Sequence, residues 1–127
     1  MSVALTQGIR VEVKSTYLAE RSNPGDAYFL FAYHVRISNQ GDETAQLLSR
    51  RWVITDGEGR QEMVEGPGVV GEQPILEPGQ EFQYTSYCPL PTAVGAMQGA
   101  YRMITRSGQL FEVKIAPFTL SVPFAVN

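Results

Sequence analysis

The sequence of 127 residues predicts an all-β protein, an antiparallel β-sandwich of about seven strands. Short segments of alternating apolar and polar residues recur along the chain, which is the period of a strand with one buried face. Turns rich in glycine, proline, asparagine and aspartate separate these segments, and no segment of useful length has the period of a helix. These features together are typical of a sandwich rather than of a mixed α and β fold.

Two segments near the start carry the clearest strand pattern. Residues 9–14 alternate apolar and polar residues, and the alternation directs Val11 and Val13 inward. Residues 28–38 predict a long, half-buried strand, which the turn sequences SNPGD and NQGDE bracket. The residues predicted to face the core from this strand are Phe29, Phe31, Tyr33, Val35 and Ile37.

A third strand is predicted at residues 47–55, which contain the single tryptophan. In a regular strand Leu48, Trp52 and Ile54 share one face, although Arg50 interrupts the apolar parity. The sequence DGEG then turns the chain. Residues 61–65 are predicted to return antiparallel beside the third strand.

A turn and a further strand follow the glycine-rich segment in the middle of the chain. The sequence LEPGQ, residues 76–80, places proline and glycine where a type II turn prefers them. Residues 81–87 follow as a strand, in which Phe82 and Tyr84 share a parity. Both aromatic side chains are therefore predicted to face the core.

The last two strands form a hairpin whose register the sequence predicts. A three-residue loop at residues 106–108 places Met103 opposite Phe111 and Tyr101 opposite Val113, so that all four side chains share the buried face. A two-residue loop would put them on opposite faces. The last residue of the loop is a glycine, which predicts a positive φ in a bulged turn.

The end of the chain and two aromatic residues refine the fold prediction. Pro117 and Pro123 predict that regular pairing ends beyond Ala116 and that the tail is an edge segment or an extended arm. Trp52 lies where sandwiches of the immunoglobulin or fibronectin type III kind often bury a tryptophan. Tyr101 lies near the start of the penultimate predicted strand, where a tyrosine corner is found in such folds.

Composition and charge narrow the classes of protein. A length of 127 residues with 43% hydrophobic residues predicts one domain that spans residues 1–127. The net charge of −3 argues against nucleic-acid binding, and the longest apolar run is far too short for a membrane span. The start of the sequence lacks a signal-peptide pattern, and Cys88 is the single cysteine. These features predict a cytoplasmic protein without disulfides.

The sequence GPGVVG at residues 66–71 matches the glycine fingerprint of dinucleotide-binding proteins in unsuitable surroundings. Pro74 and Pro78 follow too closely for the helix that this fingerprint requires. Two interpretations remain open. The segment is either a nest of backbone amides that binds a phosphate or carboxylate, or a connection between sheets that glycine permits. Pro67 has no backbone N–H group to donate, and Glu65 and Glu72 add negative charge. Both features argue against the anion-binding nest.

A candidate site for a ligand or a protein partner follows from this segment. Two consecutive arginines on the third strand are able to complete an anion site by bidentate contact if the fold brings either one to the glycine loop. The same surface is the best candidate for contact with a protein. The candidate residues are Gly66, Pro67, Gly68, Val69, Val70, Gly71, Arg50 and Arg51.

The residues that usually carry catalysis or bind metals are scarce. His34 is the only histidine, and it falls on the polar parity of its strand. Cys88 precedes a proline and is predicted to be a packed thiol, and no nucleophile motif is present. Asp56 and Glu58 belong to a predicted turn that lacks the ligand series of a calcium loop. We therefore expect no catalytic residue, no metal site and no cofactor.

Four ordered motifs identify a family resemblance. They are LLSRRWVITD at residues 47–56, GPGVVGEQP at 66–74, LEPGQEFQYTS at 76–86 and GAMQGAYRM at 95–103. Together they resemble the ApaG family, and the similarity covers nearly the whole chain. The resemblance implies a fibronectin type III-like sandwich, found as a small bacterial protein and as a domain of eukaryotic F-box and polymerase-δ-interacting proteins.

The family context also suggests a function. The bacterial members are linked by name to cobalt and magnesium efflux, and by gene neighbourhood to a diadenosine tetraphosphate hydrolase. The resemblance therefore implies a non-catalytic binding module that mediates protein–protein contacts and is associated with efflux only indirectly. The alternative is a protein that binds an anion or a nucleotide through the GPGVVG loop. The sequence identifies neither the partner nor the oligomeric state.

Overall fold

The computed structural model describes residues 1–123, and nearly all of its regular structure is β-strand. The strands are β1 (Ser2–Thr6), β2 (Ile9–Tyr17), β3 (Phe29–Asn39), β4 (Ala45–Asp56), β5 (Gln61–Pro67), β6 (Ile75–Leu76), β7 (Glu81–Leu90), β8 (Val94–Thr105) and β9 (Leu110–Ser121). Two single 3₁₀ turns, Ala19–Arg21 and Pro24–Asp26, lie between β2 and β3. No helix within residues 1–123 has the length and apolar character needed to span a membrane.

The strands form two antiparallel sheets, which confirms the predicted sandwich. One sheet has the order β1-β2-β3-β7, and the other has the order β5-β4-β8-β9 with β6 paired to β4. The described residues contain two strands more than the sequence pattern predicts, β1 and β6. The alternation in β1 is inverted, because Ser2 is buried while Val3 and Leu5 are exposed. Because its inward residues are not the large apolar ones, the alternation of β1 did not predict a strand with a buried apolar face.

The inner faces of both sheets form one hydrophobic core. The predicted inward positions of β2 and most of those of β3 are confirmed, since Val11, Val13, Phe31 and Val35 are at most 1% exposed. Trp52 lies at the centre of an aromatic cluster. Its ring contacts those of Tyr33, Tyr101 and Phe118 edge-on, at centroid distances of 5.2, 6.4 and 5.9 Å.

A β-bulge in β4 corrects the predicted parity of that strand. The register between β4 and β8 shifts between Leu47 and Ser49, so one extra residue enters β4 at Leu48. As a result Leu47 is completely buried and Leu48 is only partly buried, the reverse of the prediction. After the bulge the predicted inner face resumes with Trp52, and Arg50 lies on this same inner face.

The β8–β9 hairpin confirms the predicted register. Met103 pairs with Phe111, Tyr101 pairs with Val113, and Gly108 has a φ of 92°. The prediction that pairing ends beyond Ala116 is wrong, because the ladder continues to Ser121. The strand tolerates its proline because β9 is an edge strand and the register shifts beside residue 117.

Tyr101 does not form a tyrosine corner. It lies in the middle of β8 and is completely buried, and its hydroxyl group forms a hydrogen bond with the hydroxyl group of Tyr84 on β7. A tyrosine corner instead joins the ring hydroxyl to the backbone at the edge of a sandwich. Here the bond joins the two sheets across the core.

The two sides of the sandwich differ in how they are closed. On one side β1 and β2 pack against β9, and the Ser15 hydroxyl donates to the carbonyl oxygen of Thr119 at 2.8 Å. On the other side the edge strands β5 and β7 stand apart, and a cavity lined by both sheets lies between them. This open side determines where a ligand has access to the interior.

Candidate functional site

The β5–β7 cleft is the opening between the two edge strands on the open side of the sandwich. It has two lobes of about 460 and 390 Å³, within the range of cavities that bind small ligands or side chains. Tyr33, Arg50, Trp52 and Ser86 line both lobes. The rings form an apolar floor, and Arg50 provides a positive charge where the lobes meet.

Arg50 reaches the glycine loop, as the anion-site hypothesis requires of one of the two arginines. Its Nη1 donates to the carbonyl oxygens of Pro67 and Gly68, both at 3.0 Å. Its guanidinium group also lies against Gly66, where an added methyl group would come within 3.0 Å of Nη1. The absence of a side chain at Gly66 therefore creates the space in which the guanidinium group lies.

No carboxylate in the described part of the chain pairs directly with Arg50. Within residues 1–123 its guanidinium group forms no ion pair with a carboxylate. Within the described residues, Arg50 donates hydrogen bonds only through Nη1, so the N–H groups of Nε and Nη2 are free to donate to a ligand. A half-buried guanidinium group with free donors is a recognition group for a carboxylate or a phosphate.

The GPGVVG segment folds as a small hairpin. Val69 and Glu72 exchange backbone hydrogen bonds of 2.8 and 2.9 Å, and the two residues between them, Val70 and Gly71, have φ angles of 44° and 81°. Positive φ at both central residues is the requirement of a type I′ turn. The loop joins β5 to β6, and both of these strands pair with β4. The interpretation of the loop as a connection between sheets is therefore wrong, because it lies within one sheet.

Most backbone N–H and C=O groups at the base of this hairpin already form hydrogen bonds within the protein. The amides of Gly68 and Val69 donate to the carbonyl oxygens of Leu48 and Glu72, both at 2.8 Å. The carbonyl oxygens of Pro67 and Gly68 face Arg50. A nest for an anion would therefore lack two of the amides that the sequence offers. Its remaining donors are those of Arg50 and of the hairpin tip.

The hairpin is anchored at its base and exposed at its tip. Val69 is completely buried in the core, whereas the side chain of Val70 is 56% exposed at the edge of the cleft. Val70 is a β-branched residue with a positive φ, a combination that costs energy in almost any context. Exposure and backbone strain at one residue are typical of a functional position.

Arg51 lies on the other side of the sheet from Arg50. Successive side chains of a strand point to opposite faces, so the consecutive arginines separate. Arg51 lies on the outer face, where its Nη1 is 3.3 Å from Oε1 of Glu112 on β9. The structure therefore brings Arg50 and the glycine loop together and places Arg51 elsewhere.

The family model of the ApaG domain matches residues 19–105, which include β3 to β8 and both walls of the cleft. The chain belongs to the ApaG family. The four motifs of the sequence resemblance all lie within this matched range, so the family prediction is confirmed.

Several ApaG proteins are similar over nearly the full chain. Protein ApaG of Anaeromyxobacter dehalogenans is 57% identical over 127 residues, the whole of both chains. Protein ApaG of Rhodospirillum centenum is 55% identical over 119 residues, which cover 94% of this chain and 92% of the relative. The crystal structure of the putative ApaA protein from Bordetella pertussis superposes with a TM-score of 0.90 at 50% identity, covering 92% of this chain and 95% of that one.

Three buried tyrosines surround Arg50 in this ApaG chain. Burial is the largest influence on Tyr33, Tyr84 and Tyr101, and it raises the pKa of each hydroxyl group. The positive charge of Arg50 acts in the opposite direction on the pKa of all three, which shows that its field reaches these hydroxyl groups. At neutral pH they are therefore neutral groups that donate or accept hydrogen bonds beside a cation.

His34 and Cys88 do not form a catalytic pair. His34 lies on the outer face of its sheet, where Nδ1 is 2.8 Å from Oγ1 of Thr85 and Nε2 is 2.9 Å from Oε1 of Gln83. Cys88 is buried on the inner face. Burial, with a smaller contribution from the charge of Glu62, raises the pKa of the Cys88 thiol to about 11. The thiol is thus protonated at neutral pH and is a poor nucleophile.

Asp56 belongs to a turn rather than to a metal site. Its Oδ1 accepts from the amides of Glu58 and Arg60, and its Oδ2 accepts from Nε of Arg60 at 3.0 Å. Partial burial acts to raise the pKa of Asp56, but these donors outweigh it and the pKa lies below its ordinary value. Across residues 1–123, no three His, Cys, Asp or Glu side chains are grouped as a metal ion requires.

The sequence predicted the glycine loop and Arg50 as candidate site residues, but it did not predict the opposite wall of the cleft. Tyr33 and Tyr84 were predicted as core residues, since a core position and a cleft position share the same strand parity. Ser86 had no prediction. The available signal was the pair of polar residues on apolar parities, Arg50 on β4 and Ser86 on β7. Neither belongs in a closed core without a partner.

Proposed function

We propose that this protein is a non-catalytic binding module of the cytoplasm that recognises a protein partner through the β5–β7 cleft and the tip of its hairpin. The single observation that carries the proposal is Arg50, whose guanidinium group lies in an open, aromatic-floored cleft without a carboxylate partner among the described residues. The family's link with cobalt and magnesium efflux is, in this proposal, indirect and passes through the partner.

The geometry supports recognition of a protein for two reasons. The cleft combines aromatic rings with one arginine, and aromatic residues and arginine are the residue types that dominate binding energy at protein interfaces. At its edge Val70 presents an exposed apolar side chain on a hairpin that is anchored by Val69. An anchored, preorganised contact loses little conformational entropy when a partner binds.

The test compares two variants that remove the same charge from different places. Arg50→Gln removes the cation from the cleft, and Arg106→Gln removes one from the exposed β8–β9 loop, which does not line the cleft. Each protein is immobilised, and the proteins that it captures from a bacterial lysate are quantified by mass spectrometry. We expect Arg50→Gln to lose specific partners that wild type and Arg106→Gln both retain. Identical capture by all three proteins would exclude the cleft as the binding site.

The alternative function is the binding of a phosphate-containing small ligand at the same arginine. The observation that favours it is the contact between Arg50 and the loop of residues 66–71. An NMR titration with pyrophosphate, ATP and diadenosine tetraphosphate, each with and without magnesium, tests it directly. Saturable amide shifts at Val70 and Gly71 that vanish in Arg50→Gln would support it. Unchanged spectra at millimolar ligand would exclude it.

A further inference from the structure

We propose that the occupant of the β5–β7 cleft is an extended, acidic segment of a partner protein, which adds a strand to the free edge of β7 and places a carboxylate on Arg50. This inference rests on the proposed function and identifies the chemistry of the partner. Three observations carry it: the unpaired backbone groups of β7, the distribution of charge around the cleft, and the free donors of Arg50.

The hydrogen bonds of β3 determine which groups of β7 are free. The amide of Asn39 donates to the carbonyl oxygen of Gln80 at 2.9 Å, and the carbonyl oxygen of Asn39 accepts from Gly79 at 2.8 Å. The register between β3 and β7 is then continuous from Ser38 opposite Glu81 to Phe29 opposite Leu90. In an antiparallel ladder, backbone bonds to one neighbour alternate along the strand. Every second residue of β7 therefore directs its N–H and C=O groups away from β3.

This alternation leaves a short row of donors and acceptors on the open side. The residues bonded to β3 are Phe82, Tyr84, Ser86 and Cys88. The residues whose backbone faces outward are Gln83, Thr85 and Tyr87. Pro89 is the next outward position, and a proline without an N–H group belongs at a free edge. The row thus matches an added strand of about five residues, which is the usual length of a strand in recognition by β-augmentation.

The charges around the cleft favour β7 over β5 as the edge for an acidic segment. β5 is also an edge strand, but it carries the exposed carboxylates Glu62 and Glu65, which repel an acidic chain. From Gln83 to Leu90, β7 carries no carboxylate. On its outer face, the Arg21 guanidinium group lies 5.1 Å from the centre of the Tyr87 ring and adds a second positive charge.

Arg50 is placed to receive a carboxylate from such a strand. A strand paired to β7 directs alternate side chains towards the inner faces of the sandwich, where Tyr84 and Ser86 line the same lobe as Arg50. The N–H groups of Nε and Nη2 are free to bind a carboxylate side by side. The aromatic floor excludes water and strengthens this charge-assisted bond. The side chains two residues before and after the acid point in the same direction, towards the lobe that Val70 and Tyr84 line.

The experiment selects peptides without assuming their sequence. A phage-displayed library of random nonapeptides is selected on the full wild-type chain, and the enriched peptide is synthesised with blocked ends. Its affinity is measured for wild type, Arg50→Gln, Gly66→Ala and Arg106→Gln. Gly66→Ala keeps the Arg50 charge and places a methyl group 3.0 Å from Nη1, so the guanidinium group has to shift by a few tenths of an ångström. The amide spectrum of labelled protein reports which edge the peptide covers.

We expect the selected peptides to share one Asp or Glu among β-branched residues. Arg50→Gln should weaken binding by about tenfold or more, Gly66→Ala should weaken it by a smaller factor, and Arg106→Gln should leave it within about twofold. The amides of Gln83, Thr85 and Tyr87 should shift and exchange more slowly with solvent. Replacing the acid of the peptide by its amide should reproduce the effect of Arg50→Gln.

Several results would overturn the inference. Peptides that bind in the cleft without an acid, or that shift the β5 amides of Met63 and Glu65 instead, would contradict it while leaving the proposed function intact. Protection of the β7 edge by dimerisation of the free protein would assign that edge to a second copy of this chain. Failure to select any peptide, together with identical lysate capture by wild type and Arg50→Gln, would overturn the proposed function as well.

Discussion

At the scale of single residues, Arg50 and Val70 are the two positions that depart most from what a closed sandwich requires. Arg50 points a cation towards an aromatic interior, and its two described hydrogen bonds go to the carbonyl oxygens of the hairpin. Val70 is exposed although it is apolar, and its φ of 44° disfavours a β-branched side chain. The free donors of Arg50 and the exposure and strain of Val70 are the features on which the proposed interaction with another molecule rests.

The strain at Val70 leads to a prediction for stability. Val70→Asn should raise the free energy of unfolding by about 1 kcal/mol, because asparagine adopts a positive φ far more readily than valine. Urea denaturation at pH 7 measures the change. Val3→Asn is the matched control, since Val3 is 43% exposed in β1 and has no positive φ, and it should leave stability unchanged or lower. A loss of stability in Val70→Asn would refute the strain argument. A gain of stability with loss of partner capture would identify Val70 as a contact residue.

At the scale of secondary-structure elements, the bulge at Leu48 and the hairpins determine which side chains meet. The bulge allows Leu47 and Arg50 to share the inner face of β4, and the type I′ hairpin directs its carbonyl oxygens towards that arginine. The turn chemistry of Pro78 and Gly79 closes β7 against β3, with Gly79 at a φ of 88° and the amide of Gln80 bonded to the carbonyl oxygen of Glu77. Local turn geometry thus builds both walls of the cleft.

Gly99 gives a prediction about the packing of β4 against β8. It pairs with Trp52, and a methyl group at this position would lie 2.0 Å from the carbonyl oxygen of Arg51. Gly99→Ala should therefore lower the free energy of unfolding by about 3 kcal/mol, because rigid backbone has to move. Gly108→Ala is the control, since open space surrounds Gly108 and only its φ of 92° is unfavourable, at a cost of about 1 kcal/mol. Thermal and urea denaturation measure both changes. An equal loss of stability in Gly99→Ala and Gly108→Ala would contradict the close approach at Gly99.

The elements also show how far the sequence predicts this molecule. Period-two patterns predicted seven of the strands, and turn chemistry predicted the Gly108 hairpin and its register, because both signals are local. The strand β1 was not predicted because its apolar side chains Val3 and Leu5 face outward. The bulge at Leu48 was not predicted because it depends on pairing with β8, which is distant in the sequence. The cleft was missed for the same reason. Tyr33, Tyr84 and Ser86 form a site only because β7 ends its sheet on the side where β5 ends the other.

At the scale of the whole molecule, the sandwich is closed on one side and open on the other. The closed side joins β1 and β2 to β9, with Thr6 accepting a hydrogen bond from the amide of Lys114 through its side-chain oxygen at 3.2 Å. The two sheets are also bonded across the core by the Tyr84 and Tyr101 hydroxyl groups. The open side is therefore supported by contacts on the closed side and by a hydrogen bond across the core.

The buried protonated groups of the core predict that stability falls at alkaline pH. The pKa of Cys88 rises from 9.0 to about 11 on folding, so between these values the unfolded state releases a proton that the folded state keeps. The free energy of unfolding must then decrease as pH rises, by up to about 3 kcal/mol for this group. Burial also raises the pKa of Tyr84 and Tyr101, which extends the decrease above pH 10. Urea denaturation from pH 7 to pH 10.5 measures the slope.

Cys88→Ala separates the thiol from the tyrosines in this experiment. The variant should lose the part of the decrease that begins near pH 9 and should keep the part that begins above pH 10. A pH dependence identical to that of wild type would show that the thiol does not contribute.

The prolines of the two free edges have a further consequence for the behaviour of the protein at high concentration. The amide of Gly68 bonds to Leu48 in the β4–β5 ladder, so Pro67 faces outward from β5 just as Pro89 faces outward from β7. A ladder of strands from other copies loses a hydrogen bond as soon as it reaches either proline. Pairing between the edges of two copies is thereby limited to short segments, which disfavours an open-ended stack of sheets through β5 or β7. We expect both edges to accept a short strand without promoting growth into fibres.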